Sequence, residues 1–253
     1  MGMRKTLVSL ILVMVSAAAV RGEHIPEAGG LDPDFRSRAA IVADIGDWNP
    51  YLDVEGRFEG EDNQFGYRSF TVGAYRRIHR NVKAGAFYRL QAGARHDDDW
   101  LDLGGGAWEW DDTSARYEHL LMADVTPRFL LGRSGVAVVK IRYEYNLSNG
   151  LQVLLLRPGY TWFHVVDRQP RWNLGVNYAL YFSLNFGDSL LYEHGPYLSW
   201  IYHLNDLVKL ELRGDYHTAI WSPGEDSIAA GDSYLVKDRR ILIGMGLLLT
   251  PRW

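Results

Sequence analysis

Two groups of residues in this 253-residue chain combine the types and spacing that hydrolytic or metal chemistry needs. The first is HDDDWLDLGGGAWEWDD, residues 96–112, where seven carboxylates lie among Trp100, Trp108 and Trp110. Clustered carboxylate oxygens suit a hard divalent cation, with Asp97, Asp99 and Asp102 as candidate ligands, although the spacing is not that of an EF-hand loop. The same run reads equally as a solvated acidic loop. The second group is Asp215-Tyr216-His217. Residues two apart on a strand share a face, so Asp215 and His217 project together as a carboxylate–imidazole pair, the parts of a general base.

The elements that position both groups are strands. VKLELRGDYH (208–217) splits by parity into Val208, Leu210, Leu212, Gly214 and Tyr216 on one face, and Lys209, Glu211, Arg213, Asp215 and His217 on the other. The same two-residue period predicts strands near 51–59, 65–78, 82–95, 116–129, 138–146, 150–164, 172–185, 191–203, 208–217 and 237–253, while helical periodicity is hard to find. Their polar faces gather Arg57, Arg89, Arg95, Arg142, Glu144, Lys209, Glu211 and Arg213, of both signs, as candidate lining of a common interior. Tight connections near 79–81, 132–134 and 204–205 alternate with longer ones at 96–113 and 221–236. Pro158 and Pro196 fall within predicted strands, where a missing N–H implies a bulge. A slip of the alternation between Gln152 and Arg157 fits a bulge before Pro158.

Composition narrows the class. A formal charge of −4 argues against a nucleic-acid binder, which usually carries a basic stripe. With no cysteine there is no disulfide framework, thiolate metal site or cysteine nucleophile. No phosphate-binding glycine loop, zinc spacing or dinucleotide fingerprint occurs, and Gly104-Gly105-Gly106 belongs to a loop. Glu193-His194 is adjacent on a predicted strand, so its two side chains point to opposite faces. Residues 1–22 have a basic start at Arg4 and Lys5, an apolar run from Leu7 to Val15 and small residues beyond, the layout of a secretory signal peptide. Cleavage after Gly22, or after Ala19, is expected. Cutting after Gly22 removes Arg4, Lys5 and Arg21, taking the formal charge from −4 to −7. Residues 23–35 read as a flexible lead-in, and 36–253 as one domain.

Beyond residue 22 no run of 18 apolar residues occurs, so any membrane crossing would use strands. Sequence parity leaves a soluble β protein open. Aromatic residues near strand ends, including Trp172, Trp200 and Tyr202, glycines on polar faces (Gly85, Gly175, Gly244, Gly246) and the alternating loop lengths favour a membrane barrel. The final strand, ILIGMGLLLTPRW, alternates through Ile243, Met245, Leu247 and Leu249 to Trp253. It resembles the C-terminal insertion signal of bacterial outer-membrane β-barrel proteins. That resemblance implies recognition of Leu247, Leu249 and Trp253 by the barrel-assembly machinery, with Trp in place of the usual Phe and Pro251 as a departure.

A second resemblance bears on the chemistry. Asp97-Asp98-Asp99-Trp100 looks like the Asp-x-Asp-Trp element of the omptins, ten-stranded outer-membrane proteases, and follows the third strand as it does there. In that family a carboxylate pair faces an Asp-x-His pair across the barrel mouth. The resemblance therefore implies roles for Asp97, Asp99, Asp215 and His217, although Asp215-Tyr216-His217 falls two strands later than the omptin pair.

The expected molecule is an all-β, single antiparallel up-and-down transmembrane β-barrel of about ten strands, or twelve if 37–45 forms a separate element. It is expected in the bacterial outer membrane, against lipid and lipopolysaccharide, with no nucleic-acid partner. No cofactor is expected beyond a divalent cation at the acidic loop. The favoured role is a surface structural or interaction barrel, or a narrow solute pathway. The alternative is an omptin-like hydrolase at the extracellular mouth.

Overall fold

The structure, a computed structural model, describes residues 27–28, 33–59, 64–96, 99–104, 107–110, 112–187, 190–221 and 236–252. Its strands are β1 (Glu27–Ala28), β2 (Pro33–Val42), β3 (Trp48–Glu59), β4 (Gln64–His79), β5 (Val82–Ala92), β6 (Trp100–Gly104), β7 (Ala107–Trp110), β8 (Tyr117–Leu131), β9 (Gly135–Asn146), β10 (Gln152–Val166), β11 (Gln169–Ser183), β12 (Leu191–His203), β13 (Val208–Trp221) and β14 (Val236–Leu249). Among the described residues no helix is long and apolar enough to cross a membrane, which says nothing of crossing by strands.

Eleven strands, β2 to β5 and β8 to β14, pair in sequence order and close through β14 and β2. The all-β up-and-down barrel expected from the sequence is present, with the segment near 37–45 supplying the eleventh strand as β2. An odd number of alternating strands cannot close on an antiparallel pair. The β14–β2 seam is accordingly parallel, from Ile241 beside Pro33 to Leu249 beside Ile41. Every other pairing around the ring is antiparallel, and β1 extends the seam by pairing in parallel with Lys237 and Asp238.

The connections alternate between the two rims of the barrel. Those after β2, β4, β8, β10 and β12 span two to five residues and form the short-turn rim. Those after β3 and β9 span four and five residues, but those after β5, β11 and β13 span 24, 7 and 14, and together they form the long-connection rim. The two-residue turn between β10 and β11 holds Asp167 and Arg168 at φ 51° and 65°, two consecutive left-handed residues whose twist matches the strands of the hairpin. Within the 93–116 connection, β6 and β7 make a short hairpin with Trp100 opposite Trp110. The crowding of acids there had hidden its alternation.

Both strand prolines are accommodated without the expected bulge. Gly159 pairs with Asn177 in the same register that joins Leu156 to Leu180, and the irregularity of β10 falls instead at His164/Val165. Pro158 simply stands opposite Val139 with its ring on the outer face. The apparent slip at 152–157 arises because the inward residues there, Val153 and Leu155, are apolar themselves. Pro196 stands opposite Tyr178 on the outer face, again in unbroken register.

The two faces of the wall are inverted relative to a water-soluble barrel. Outward residues such as Val54, Leu212 and Met245 are 49%, 47% and 68% exposed, whereas the inward carboxylates Asp53, Asp124 and Asp215 are 6%, 3% and 3% exposed. Near the short-turn rim the outer face carries Trp48, Phe129, Trp162, Trp200 and Tyr202. Near the long-connection rim the interior holds an apolar cluster of Ala219, Trp221 and Val236, packed by Phe186 and Tyr192.

Candidate functional site: a basic cavity through the barrel

Inward parity brings charges from every wall into one space, so each must find a partner or face water. The seam shows how backbone and side chains cooperate. Arg36 and Arg38 of β2 reach across β14, where Gly244 and Gly246 leave room; a Cβ on Gly244 would lie 3.1 Å from Arg36 Nε. Arg36 donates to Asp215 Oδ2 at 3.1 Å. Arg38 donates to Asp53 Oδ2 at 2.5 Å, to Glu211 Oε2 at 3.0 Å and to the Tyr51 hydroxyl at 2.9 Å. Two arginines thus tie β2, β3 and β13 together over the closing strand.

A second node is Asp124 of β8, which takes Lys140 at 2.9 Å, Arg142 at 3.0 Å and the Tyr75 hydroxyl at 3.4 Å, all on Oδ2. Beside it, Tyr51, Tyr75 and Phe87 pack edge to face. Gly73 and Gly85 make space for Phe87: a Cβ on either would come within 2.5–2.6 Å of its ring.

At the long-connection rim two clusters stand on different walls. On one, His96 Nε2 lies 2.5 Å from Glu118 Oε1, and Arg116 binds both oxygens of Asp99 at 2.5 and 2.7 Å. In the same connection, hydrogen bonds from the hydroxyl and amide of Ser114 hold the Asp112 carboxyl below its usual range. On the other wall, His217 Nδ1 is 2.7 Å from Glu193 Oε1, and its Nε2 is 3.7 Å from Asp215 Oδ1. Arg213 donates to the same Asp215 oxygen at 2.5 Å.

These positions decide which sequence-derived candidates meet. Asp215 and His217 adjoin, with Glu193 completing a carboxylate–imidazole–carboxylate row. Around the ring β13 lies five strands from β8 in one direction and six in the other, so Asp99 and His217 occupy opposite walls. Eleven strands spaced about 4.8 Å apart and tilted about 40° give a barrel roughly 22 Å across between backbones. Asp99 and Asp215 each already hold a guanidinium, which leaves neither as a free base for an attacking water. Asp97 and Trp253 lie outside the described residues, as does the segment 1–22. Asp102 stands on β6 opposite Trp108. Among the described residues no group of three or more His, Asp or Glu has the spacing to hold a metal ion. Leu247 and Leu249 stand on the outward row of β14, beside Ala39 and Ile41 of β2. Glu193 faces inward while His194 stacks outward on Tyr178, at 2.8 Å from its hydroxyl.

Arg57, Arg89, Arg95, Arg142, Glu144 and Arg213 all border one cavity of about 540 Å³, Glu211 reaches its edge through Arg38, and Lys209 shares the inward face without lining it. The lining runs from Lys83 and Arg128 near the short-turn rim to Arg95 and His96 at the opposite one. Among the described lining residues twelve are Lys or Arg and four are Asp or Glu. Most of the cations are paired, several with carboxylates set back in the wall. Sequence parity had not placed Arg36, Arg38, Arg157, Glu193 or Arg240 in this interior. Alternation was available at 35–42, where Phe35, Ser37, Ala39 and Ile41 oppose Arg36, Arg38, Ala40 and Val42, but small residues on both faces blunt it.

The chain matches no protein-family model, and no curated protein shows significant similarity to it. The functional reading therefore rests on the barrel and its interior.

Proposed function

We propose that this chain is an integral outer-membrane β-barrel whose lumen is a narrow, water-filled pathway for small solutes. The observation that carries the reading is the cavity lined from one rim to the other, inside a wall that exposes apolar side chains and turns its charges inward. An apolar outer band flanked by aromatic residues suits lipid, and short turns belong on the periplasmic side of such barrels. The long connections then face outward, beside lipopolysaccharide. The outward row of β14 serves the barrel-assembly machinery after export directed by residues 1–22. Barrels of eight strands are filled by side chains and those of 16–18 hold open channels, so eleven strands with paired charges suit a restricted passage.

Reconstitution of the refolded full-length barrel into a planar lipid bilayer tests this. Small, steady single-channel currents are expected. A barrel that inserts, shown by a heat-dependent gel shift, yet carries no current would instead support a plugged barrel with a structural or interaction role at the surface. A chain that stays in aqueous solution without detergent would remove the membrane reading altogether.

A further inference from the structure

The charge pairing in the lumen is incomplete. Arg36, Arg38, Lys140, Arg142 and Arg213 each meet a carboxylate within 3.1 Å. Arg89 and Arg157, which line the same cavity, do not. The Nε of Arg89 donates to the Thr71 hydroxyl at 3.1 Å, and no carboxylate of the described residues comes within ion-pair distance of it. Glu55 and Glu144 face it from farther away. Arg157 donates from one terminal nitrogen to the Tyr197 hydroxyl at 3.3 Å, and its buried Nε has no hydrogen-bond partner among the described residues. The Tyr197 ring lies between cations, with Arg157 at 5.3 Å and Arg213 at 3.9 Å from its centroid. A hydroxyl and a ring face leave most of a guanidinium's five donors without an acceptor and its charge only partly compensated.

We infer that the lumen contains an anion site in which Arg89 and Arg157 bind a small oxyanion of the phosphate class. It rests on the reading of the lumen as an aqueous pathway. A guanidinium fork matches the oxygens of such an anion two at a time, and these bonds are strongest where water is scarce. The cavity lies in the size range of small-molecule sites, about 300–1,000 Å³. Lys83 and Arg128, toward the short-turn rim, likewise lack a carboxylate within ion-pair distance among the described residues. Lys83 instead donates to the Asn49 side-chain oxygen. They extend the positive surface toward the periplasmic opening.

The test is titration of inorganic phosphate into the full-length barrel in phosphate-free detergent micelles, followed by calorimetry and by phosphorus NMR line broadening. The native barrel is expected to bind phosphate saturably, with affinity at least tenfold weaker in Arg89→Gln/Arg157→Gln and about threefold weaker in Arg89→Lys/Arg157→Lys, which keeps the charge but loses the fork. Lys209→Gln, on the inward face but outside the cavity lining, should bind as the native barrel does. Folding of each variant is checked by the heat-dependent gel shift, and the Lys pair carries the comparison if the Gln pair fails to fold. Absence of saturable binding, or equal binding by the native barrel and the Gln pair, overturns the site. Because binding needs no current, a barrel that binds phosphate but does not conduct refutes the pathway alone. One that conducts without discriminating anions from cations, and binds no phosphate, refutes the site alone.

Discussion

Asp215 gathers more positive charge than any other carboxylate of the seam, with Arg36 at 3.1 Å, Arg213 at 2.5 Å and His217 at 3.7 Å, on a side chain entirely shielded from solvent. Removing one partner of a buried pair leaves the others stranded, which typically costs about 3–5 kcal/mol. Asp215→Asn is accordingly expected to lower the stability of the barrel by that order, read as a lower urea midpoint in lipid vesicles. Lys209→Gln, farther along the same face toward the short-turn rim, should leave the midpoint nearly unchanged. The inward direction of Asp215 and His217 was legible in the alternation of 208–217. Their partners were not. Arg36 is 179 residues away in sequence, and nothing in a one-dimensional pattern says that β2 will lie one strand beyond β14. The acidic run was misleading in the opposite way: Asp99 looks like a metal ligand in sequence, yet Arg116, 17 residues on, takes both its oxygens.

At the scale of one strand, β13 shows why parity reads so well in this molecule. Leu210 and Leu212 face outward beside Tyr202 and Trp200 of β12, while Glu211 and Arg213, alternating with them, face the lumen. Where both faces are apolar the signal fails, as it does at Val153 and Leu155 of β10. Those residues border the cavity on a stretch where the interior is greasy, so the sequence mimics a phase slip. Parity alone also leaves open which face meets water. Placing a cation on the outer face separates the cases. Leu212→Arg should cost about 2–4 kcal/mol if that position sits near the middle of a bilayer, and much less if the wall faces water. Equilibrium unfolding in phospholipid vesicles, compared with the lumen change Ser199→Arg only for its ability to fold, gives the number. A cost near zero for Leu212→Arg would contradict a lipid-facing β13.

For the whole molecule, strand count was the quantity that sequence fixed least well, because it depends on a single weakly patterned segment. Ten strong strands stand out; the eleventh, β2, has alanine and serine on its outer face and was set apart only as a possible addition. Its presence changes the parity of the ring, and with it the direction of the closing pair. An even barrel brings both ends of the chain to one rim. Here β2 begins toward the long-connection rim and β14 ends at the opposite one, with nine residue pairs in parallel register between them.

That arrangement has a mechanical consequence. A tether pulled from each end of the barrel along its axis does not peel β2 from β14 one bond at a time. It slides them past each other, so the seam's hydrogen bonds, and the Arg36 and Arg38 contacts laid across it, bear load together. In force spectroscopy with handles before Pro33 and after Leu249, the seam should yield in one high-force event. Handles placed in the turns flanking β12 and β13 should instead give sequential, lower-force steps. The closing strands thus form a shear clasp, strongest when the two ends of the barrel are drawn apart along its axis.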